Sequence, residues 1–262
     1  MSTVEIIALA AAGAAAGMVN AVAGGGTLIT FPALLAFGMP SITANATSTL
    51  ALVIGTAGSA YGYRQQISQV KVWLRRYIPV SLLGGLLGGI LLTHTKESTF
   101  ARMVPFLLLF ATFLFMGQGP LKRLADAAGL SSATGQSSRR AIWLAGAFQF
   151  LVALYGGYFG AGIGILMLAT LGCLGLSDIH QMNGIKTILG SLINLVAALY
   201  FVGSGLIDWP RMGIMTAGAL IGYFAGAHYS QQIPQQWVRR IITAIGFTIS
   251  AVIFYRQFLQ PA

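Results

Sequence analysis

The chain reads as eight apolar runs separated by short polar stretches: residues 4–37, 46–63, 77–93, 103–117, 141–174, 187–202, 212–228 and 241–255. A helix needs about 20 apolar residues to cross the hydrocarbon of a bilayer. Most runs therefore predict one crossing helix each, lengthened by neighbouring polar residues. Runs 4–37 and 141–174 are too long for one helix, and glycines interrupt both near the middle. Gly24, Gly25 and Gly26 break the first; Gly160, Gly162 and Gly164 break the second around Ala161 and Ile163. Glycine inside a helix costs about 1 kcal/mol per residue. Non-helical backbone at membrane depth persists only where protein buries it or where it lines a cavity. Each long run thus predicts two short helices joined by a glycine turn deep in the membrane, with Pro32 adding a second break to the first run.

The chain also repeats itself. The stretch from Asn20 to Leu28 corresponds to that from Gly156 to Gly164, and Asn45 to Thr49 corresponds to Asn183 to Thr187. Gly84 and Gly88 match Gly222 and Gly226, small-residue pairs suited to close helix packing in lipid. The expected organisation is a first membrane repeat at 1–128, a small, polar cytoplasmic linker at 129–138 and a second membrane repeat at 139–262. The fold class follows: an all-α integral membrane protein of two homologous halves, each with a glycine-broken helical hairpin plus three further membrane helices.

Composition narrows the class. Of 262 residues, 56% are hydrophobic and 8% charged, against about a quarter charged in a soluble domain. Too few charges remain to cover a water-facing globule, which excludes a soluble enzyme. The lone Cys173 allows neither an internal disulfide nor a cysteine metal cluster. The net charge of +10 invites a nucleic-acid reading, but the basic residues cluster between apolar runs, the pattern of cytoplasmic loops. No nucleic-acid partner is expected. The first 17 residues lack a basic n-region and carry Glu5 instead, so they read as the first membrane segment.

Lys and Arg set the orientation. Arg64, Lys71, Arg75 and Arg76 share one predicted loop; Lys122, Arg123, Arg139 and Arg140 share the central linker. If each long run is a hairpin, Arg239 and Arg240 also fall inside, and Lys96, Arg102, Arg211 and Arg256 fall outside. Hairpins give five segments per half, and an odd number inserts the halves in opposite orientation, as in secondary transporters. Single crossings of the long runs give nearly the same charge bias, so eight and ten segments both remain open.

The candidate chemistry is that of hydrogen-bond donors. The five acids, Glu5, Glu97, Asp126, Asp178 and Asp208, all lie at ends, in loops or at membrane boundaries. That argues against a paired-acid protease and a carboxylate proton relay. His94, His180 and His228 have no metal-ligand spacing. Neither a metal, a cofactor nor an enzymatic activity is expected. The glycine breaks, by contrast, end one helix and begin another. A helix N-terminus offers unpaired N–H groups and partial positive charge, and glycine lets an anion approach closely. Two such termini meeting near the midplane would cage an anion; the alternative is tight packing alone. Lys186, beginning the sixth run, either lies deep with an anionic substrate as its partner or snorkels to the interface. The candidate substrate-binding residues are Asn20, Gly24, Gly25, Gly26, Thr27, Asn45, Ser48, Thr49, Gly160, Ala161, Gly162, Asn183, Lys186 and Thr187, with Asn194 as a further donor. For each polar side chain, helix capping or an interhelical bond is the competing role. Trp73, Trp143, Trp209 and Trp237 read as interfacial anchors.

The run from Gly17 through Asn20, the three glycines, Pro32 and Gly38 to Pro40, followed by residues 44–48, resembles the signature of the sulfite exporter TauE/SafE family. The second half resembles that family's repeated half through residues 157–164, Asn183 to Thr187, and Gly205 to Trp209. It departs where Ala161 and Ile163 interrupt the glycines and Leu168 replaces the proline that often follows. The resemblance implies a multi-pass transporter of the bacterial inner membrane, carrying sulfite, sulfonates, sulfoacetate or related anions. A passive anion channel and a transporter of organic carboxylates are the alternatives, and a second copy of the chain is a candidate partner beside the small anion and the lipid bilayer.

Overall fold

A computed structural model describes residues 1–22, 25–62, 64–127, 139–173, 179–229 and 235–259. These form ten α-helices: α1 (Thr3–Val22), α2 (Thr27–Ala36), α3 (Ser41–Gly62), α4 (Arg64–His94), α5 (Glu97–Ala127), α6 (Arg139–Tyr158), α7 (Ile163–Cys173), α8 (Ile179–Gly203), α9 (Trp209–Tyr229) and α10 (Gln235–Phe254). A π-helical turn, Tyr255–Leu259, extends α10. No strand occurs among the described residues. Five stretches are long and apolar enough by themselves to cross a membrane, among them Thr3–Ala21 and Gln181–Gly203.

Both long runs are indeed two helices each, which selects ten segments over eight. The arms, however, are unequal. α1 and α6 have 20 residues, whereas α2 and α7 have 10 and 11. At 1.5 Å per residue the long arms span about 30 Å, a full crossing, and the short arms about 15 Å. The expectation of two short arms is corrected accordingly. Pro32 makes no second break; it lies inside α2. The ring leaves the buried Leu28 carbonyl without its helical N–H, a loss that a membrane helix packed among neighbours tolerates.

The basic residues assigned to loops are helical. Arg64, Lys71, Arg75 and Arg76 occupy the first turns of α4, Lys122 and Arg123 lie in α5, and Arg139 and Arg140 begin α6. Arg, Lys and Gln are good helix formers, so the helices continue past the apolar runs. The linker at 129–138 lies outside the described residues.

Helix pairing repeats with exchanged partners. α1 packs on α9, and α6 packs on α4. α3 meets α9, and α8 meets α4; α2 touches α10, and α7 touches α5. α3 with α8, and α5 with α10, close the arrangement. Glycine makes the tightest of these contacts. A Cβ at Gly222 would lie 1.9 Å from the Ala14 carbonyl oxygen, and one at Gly17 2.2 Å from that of Ala219. In the corresponding pair, a Cβ at Gly88 would lie 2.1 Å from the Leu154 oxygen. Water drives no association inside lipid, so backbone approach and van der Waals packing hold these pairs. The packing role expected of Gly84, Gly88, Gly218, Gly222 and Gly226 is what the structure shows.

One end of the bundle is pinned by charge. Arg211 bonds Glu5 of α1 at 2.7 Å and Asp208 at 2.6 Å. The Asp208 amide donates to Thr47 of α3 at 3.1 Å. The Glu97 carboxylate accepts the N–H groups of Ser41 and Ile42 at the start of α3, where the helix dipole favours an anion.

Candidate functional site

The first break is closed by its own side chains. Gly25 takes φ +102°, a conformation glycine tolerates. Asn20 Oδ1 accepts the Gly26 N–H at 2.7 Å, while Asn20 Nδ2 donates to the Tyr223 hydroxyl of α9 at 2.8 Å. Ser48 shares a 2.6 Å hydrogen bond with Thr30, and Thr49 donates to the Asn45 carbonyl at 2.8 Å. Asn20, Ser48 and Thr49 thus have internal partners, the competing role weighed for them above. Thr27 begins α2, and Gly24 lies outside the described residues.

The second break is barer. Its sequence counterpart to Asn20 is Gly156, so no side chain reaches back to cap it. Gly160 and Gly162 take φ +81° and +80°. The Ala161 carbonyl accepts the Tyr155 hydroxyl at 2.8 Å, and the Ile165 N–H bonds the Gly162 carbonyl at 3.1 Å. The N–H groups of Ala161, Gly162, Ile163 and Gly164 find no acceptor among the described residues. They are the orphan donors of the α7 N-terminus.

Lys186 lies beside them. A methyl group on Gly164 would sit 3.1 Å from Lys186 Cδ and 3.8 Å from Cε, so the lysine stem runs along the first turn of α7. Lys186 is the sixth residue of the stretch Gln181–Gly203 and lies about 10 Å along the axis from the start of α8. No carboxylate among the described residues pairs with Lys186. Asn183 and Thr187 flank it on α8, half-buried. Asp178 lies outside the described residues.

The structure links the second break to α3 and α8. Asn45 Nδ2 donates to the Tyr158 carbonyl at 3.0 Å, and Asn194 Oδ1 lies against Gly160. The first hairpin arrives through an edge-to-face contact of Phe31 with Phe159, centroids 5.4 Å apart and both rings buried. An aromatic pair therefore joins α2 to the second break. Sequence reasoning missed Thr30, Tyr155, Tyr158 and Tyr223. Tyr155 and Tyr158 sit within five residues of Gly160, which was the available signal; Tyr223 had none.

Ten packed helices, apolar surfaces and glycine-broken hairpins define a multi-pass integral membrane protein. Residues 9–253 match the family described as Sulfite exporter TauE/SafE, and the chain belongs to that family. It is 28% identical over 252 residues to a Haemophilus influenzae protein named "Probable membrane transporter protein", covering 94% of this chain and 92% of the relative. It is 22% identical over 245 residues to "Probable membrane transporter protein YfcA" of Escherichia coli K12, covering 92% and 86%. A Sinorhizobium protein, "Probable membrane transporter protein ORF9", is 25% identical over 246 residues, with 90% and 87% covered. No solved structure matches the chain. The protein is a membrane transporter of this family, placed in the inner membrane of bacteria.

Proposed function

We propose that the protein is a secondary transporter that exports small sulfur-containing oxyanions, such as sulfite and sulfonates, by alternating access. The observation that carries the reading is the Lys186 stem laid along the bare N-terminus of α7. A cation well inside a crossing stretch costs about 2.5–3.5 kcal/mol at the helix centre on insertion scales. An anion offsets that cost and accepts the orphan N–H groups together. Asn183 and Thr187, on the same helix, supply further donors. Three equivalent oxygens and a fixed charge make a sulfonate or sulfite group a good match for donors spread over a backbone turn and one ammonium.

The exchanged pairing of α1 with α9 and α6 with α4 supports two units of opposite orientation that rock against each other. The half-site at Gly25, Gly26 and Thr27 would complete the path from the first unit. For an uncompensated anion, the inside-negative potential favours exit by about 2.3 kcal/mol per charge per 100 mV.

The test is a thermal-shift screen of the purified protein with sulfite, sulfate, taurine, sulfoacetate, thiosulfate and simple carboxylates. A sulfur oxyanion should raise the melting temperature in proportion to the logarithm of its concentration above Kd. A shift by carboxylates alone would reassign the substrate class. Trans-stimulated flux in vesicles separates this carrier from a passive anion channel, which shows none.

A further inference from the structure

The second break has an acceptor pole as well as a donor pole. Asn45, on α3, is 1% exposed. Its Nδ2 donates to the Tyr158 carbonyl at 3.0 Å, which fixes the amide, because a flipped amide would set oxygen against oxygen. Asn45 Oδ1 is then buried with no hydrogen-bond partner. A buried acceptor left so calls for a donor or a cation.

Its surroundings decide between the two. Tyr158 is the last residue of α6, where backbone carbonyls run out of partners and the dipole is negative. The N–H groups of Phe159 and Gly160 both turn back to the Tyr155 carbonyl, at 2.9 and 3.2 Å. The carbonyls of Gly156 and Gly157 accept no N–H among the described residues. A Cβ placed on Gly160 would lie 3.1 Å from the Gly156 oxygen and 3.4 Å from Asn194 Oδ1. The Gly156 carbonyl and Asn194 Oδ1 therefore both face Gly160, two residues beyond the Tyr158 carbonyl that Asn45 holds from α3. These groups are all acceptors.

Resting on the anion-transport reading above, we propose that this cluster binds one monovalent alkali cation, and that the cation is bound together with the anion. Neutral amide and carbonyl oxygens suit Na⁺ or K⁺. Divalent ions are usually held by carboxylates, and Glu5, Asp208 and Glu97 are engaged elsewhere, on Arg211 and at the start of α3. An amide oxygen does not take up a proton at ordinary pH, so a carried proton is not the occupant. Discontinuous transporter helices use their N-terminal ends for anions and their carbonyl ends for such cations. Here the two ends lie within the single stretch from Gly156 to Gly164. The bound cation cancels one charge of the anion, so its gradient adds to the anion's own: the outward K⁺ gradient drives the export proposed above, whereas Na⁺ would drive uptake.

The experiment uses the full chain in detergent or vesicles with NaCl, KCl or choline chloride at equal ionic strength. Na⁺ or K⁺ should raise the melting temperature saturably over choline, and sulfite should bind about tenfold more weakly in choline. Asn45→Leu and Asn194→Ala should each abolish the cation shift. If Asn45→Leu does not fold, Asn194→Ala decides alone. Equal melting and equal sulfite affinity in all three salts overturns the proposal, as does a cation shift that survives both variants. Absence of sulfite binding in every salt, with the cation shift intact and lost in the variants, upholds the cation site and refutes the anion reading instead.

Discussion

Asn20 is the side chain that closes the first break, and its removal has a calculable cost. Asn20→Ala deletes the 2.7 Å bond to the Gly26 N–H and the 2.8 Å bond to Tyr223. Gly26 is buried, so its N–H would be left unsatisfied at about 1–3 kcal/mol. The interhelical bond to Tyr223 adds about 0.6 kcal/mol, the average for such bonds in membranes. The sum is about 1.6–3.6 kcal/mol. At roughly 2–4 °C per kcal/mol for a chain of this size, melting in micelles should fall by about 3–14 °C. Tyr223→Phe removes only the second bond and should cost about 0.6 kcal/mol. Adding it to Asn20→Ala should cost nothing further, because the partner is already gone. Thermal unfolding of the four proteins in the double-mutant cycle measures this. If Asn20→Ala melts with the wild type, the Gly26 amide is not held by this side chain and the closed first break is refuted.

Other expectations follow from the packing and the charges. Gly222→Ala places a Cβ 1.9 Å from the Ala14 oxygen and should cost about 1–3 kcal/mol by overpacking. Gly146→Ala meets nothing within 4 Å and should be neutral or stabilising in the same melting assay. Arg211→Gln leaves Glu5, whose side chain is 9% exposed, without its partner. The double variant with Glu5→Gln should melt higher than Arg211→Gln alone. Glu97→Gln removes the negative charge at the N-terminus of α3 and should lower stability by about 0.3–1 kcal/mol, more at low ionic strength than high.

What the chain disclosed of itself followed the kind of force involved. Run length against bilayer thickness marked the two long runs as too long for one helix, because hydrocarbon admits little but helix, but it left eight and ten segments open until two helices were seen in each. Glycine at 24–26 and 160–164 located the breaks, since backbone freedom is local. Arm lengths were not legible: the break in each run sits after a full-length helix, and nothing in composition marks where a helix meets the membrane surface. Proline at position 32 misled because a membrane helix packed among neighbours tolerates one missing N–H. The basic residues from Arg64 to Arg76 misled because charge suggests loops while their helix propensity carries α4 onward. The partners of Asn20 and Asn45 lie 203 and 113 residues away along the chain, and no local pattern encodes them. Lys186 was identifiable as a cation near an apolar run; its place on Gly164 came only from the packing of α7 against α8.

The central claim is an anion held by Lys186 at the head of α7. Its most direct measurement is sulfite flux in vesicles containing wild-type protein or Lys186→Gln, matched for folded protein by melting and gel filtration. Gln keeps the length and a donor but removes the charge. The account predicts saturable flux by the wild type and a loss of at least about tenfold in Lys186→Gln, equivalent to about 1.4 kcal/mol. Undiminished flux by folded Lys186→Gln would contradict it.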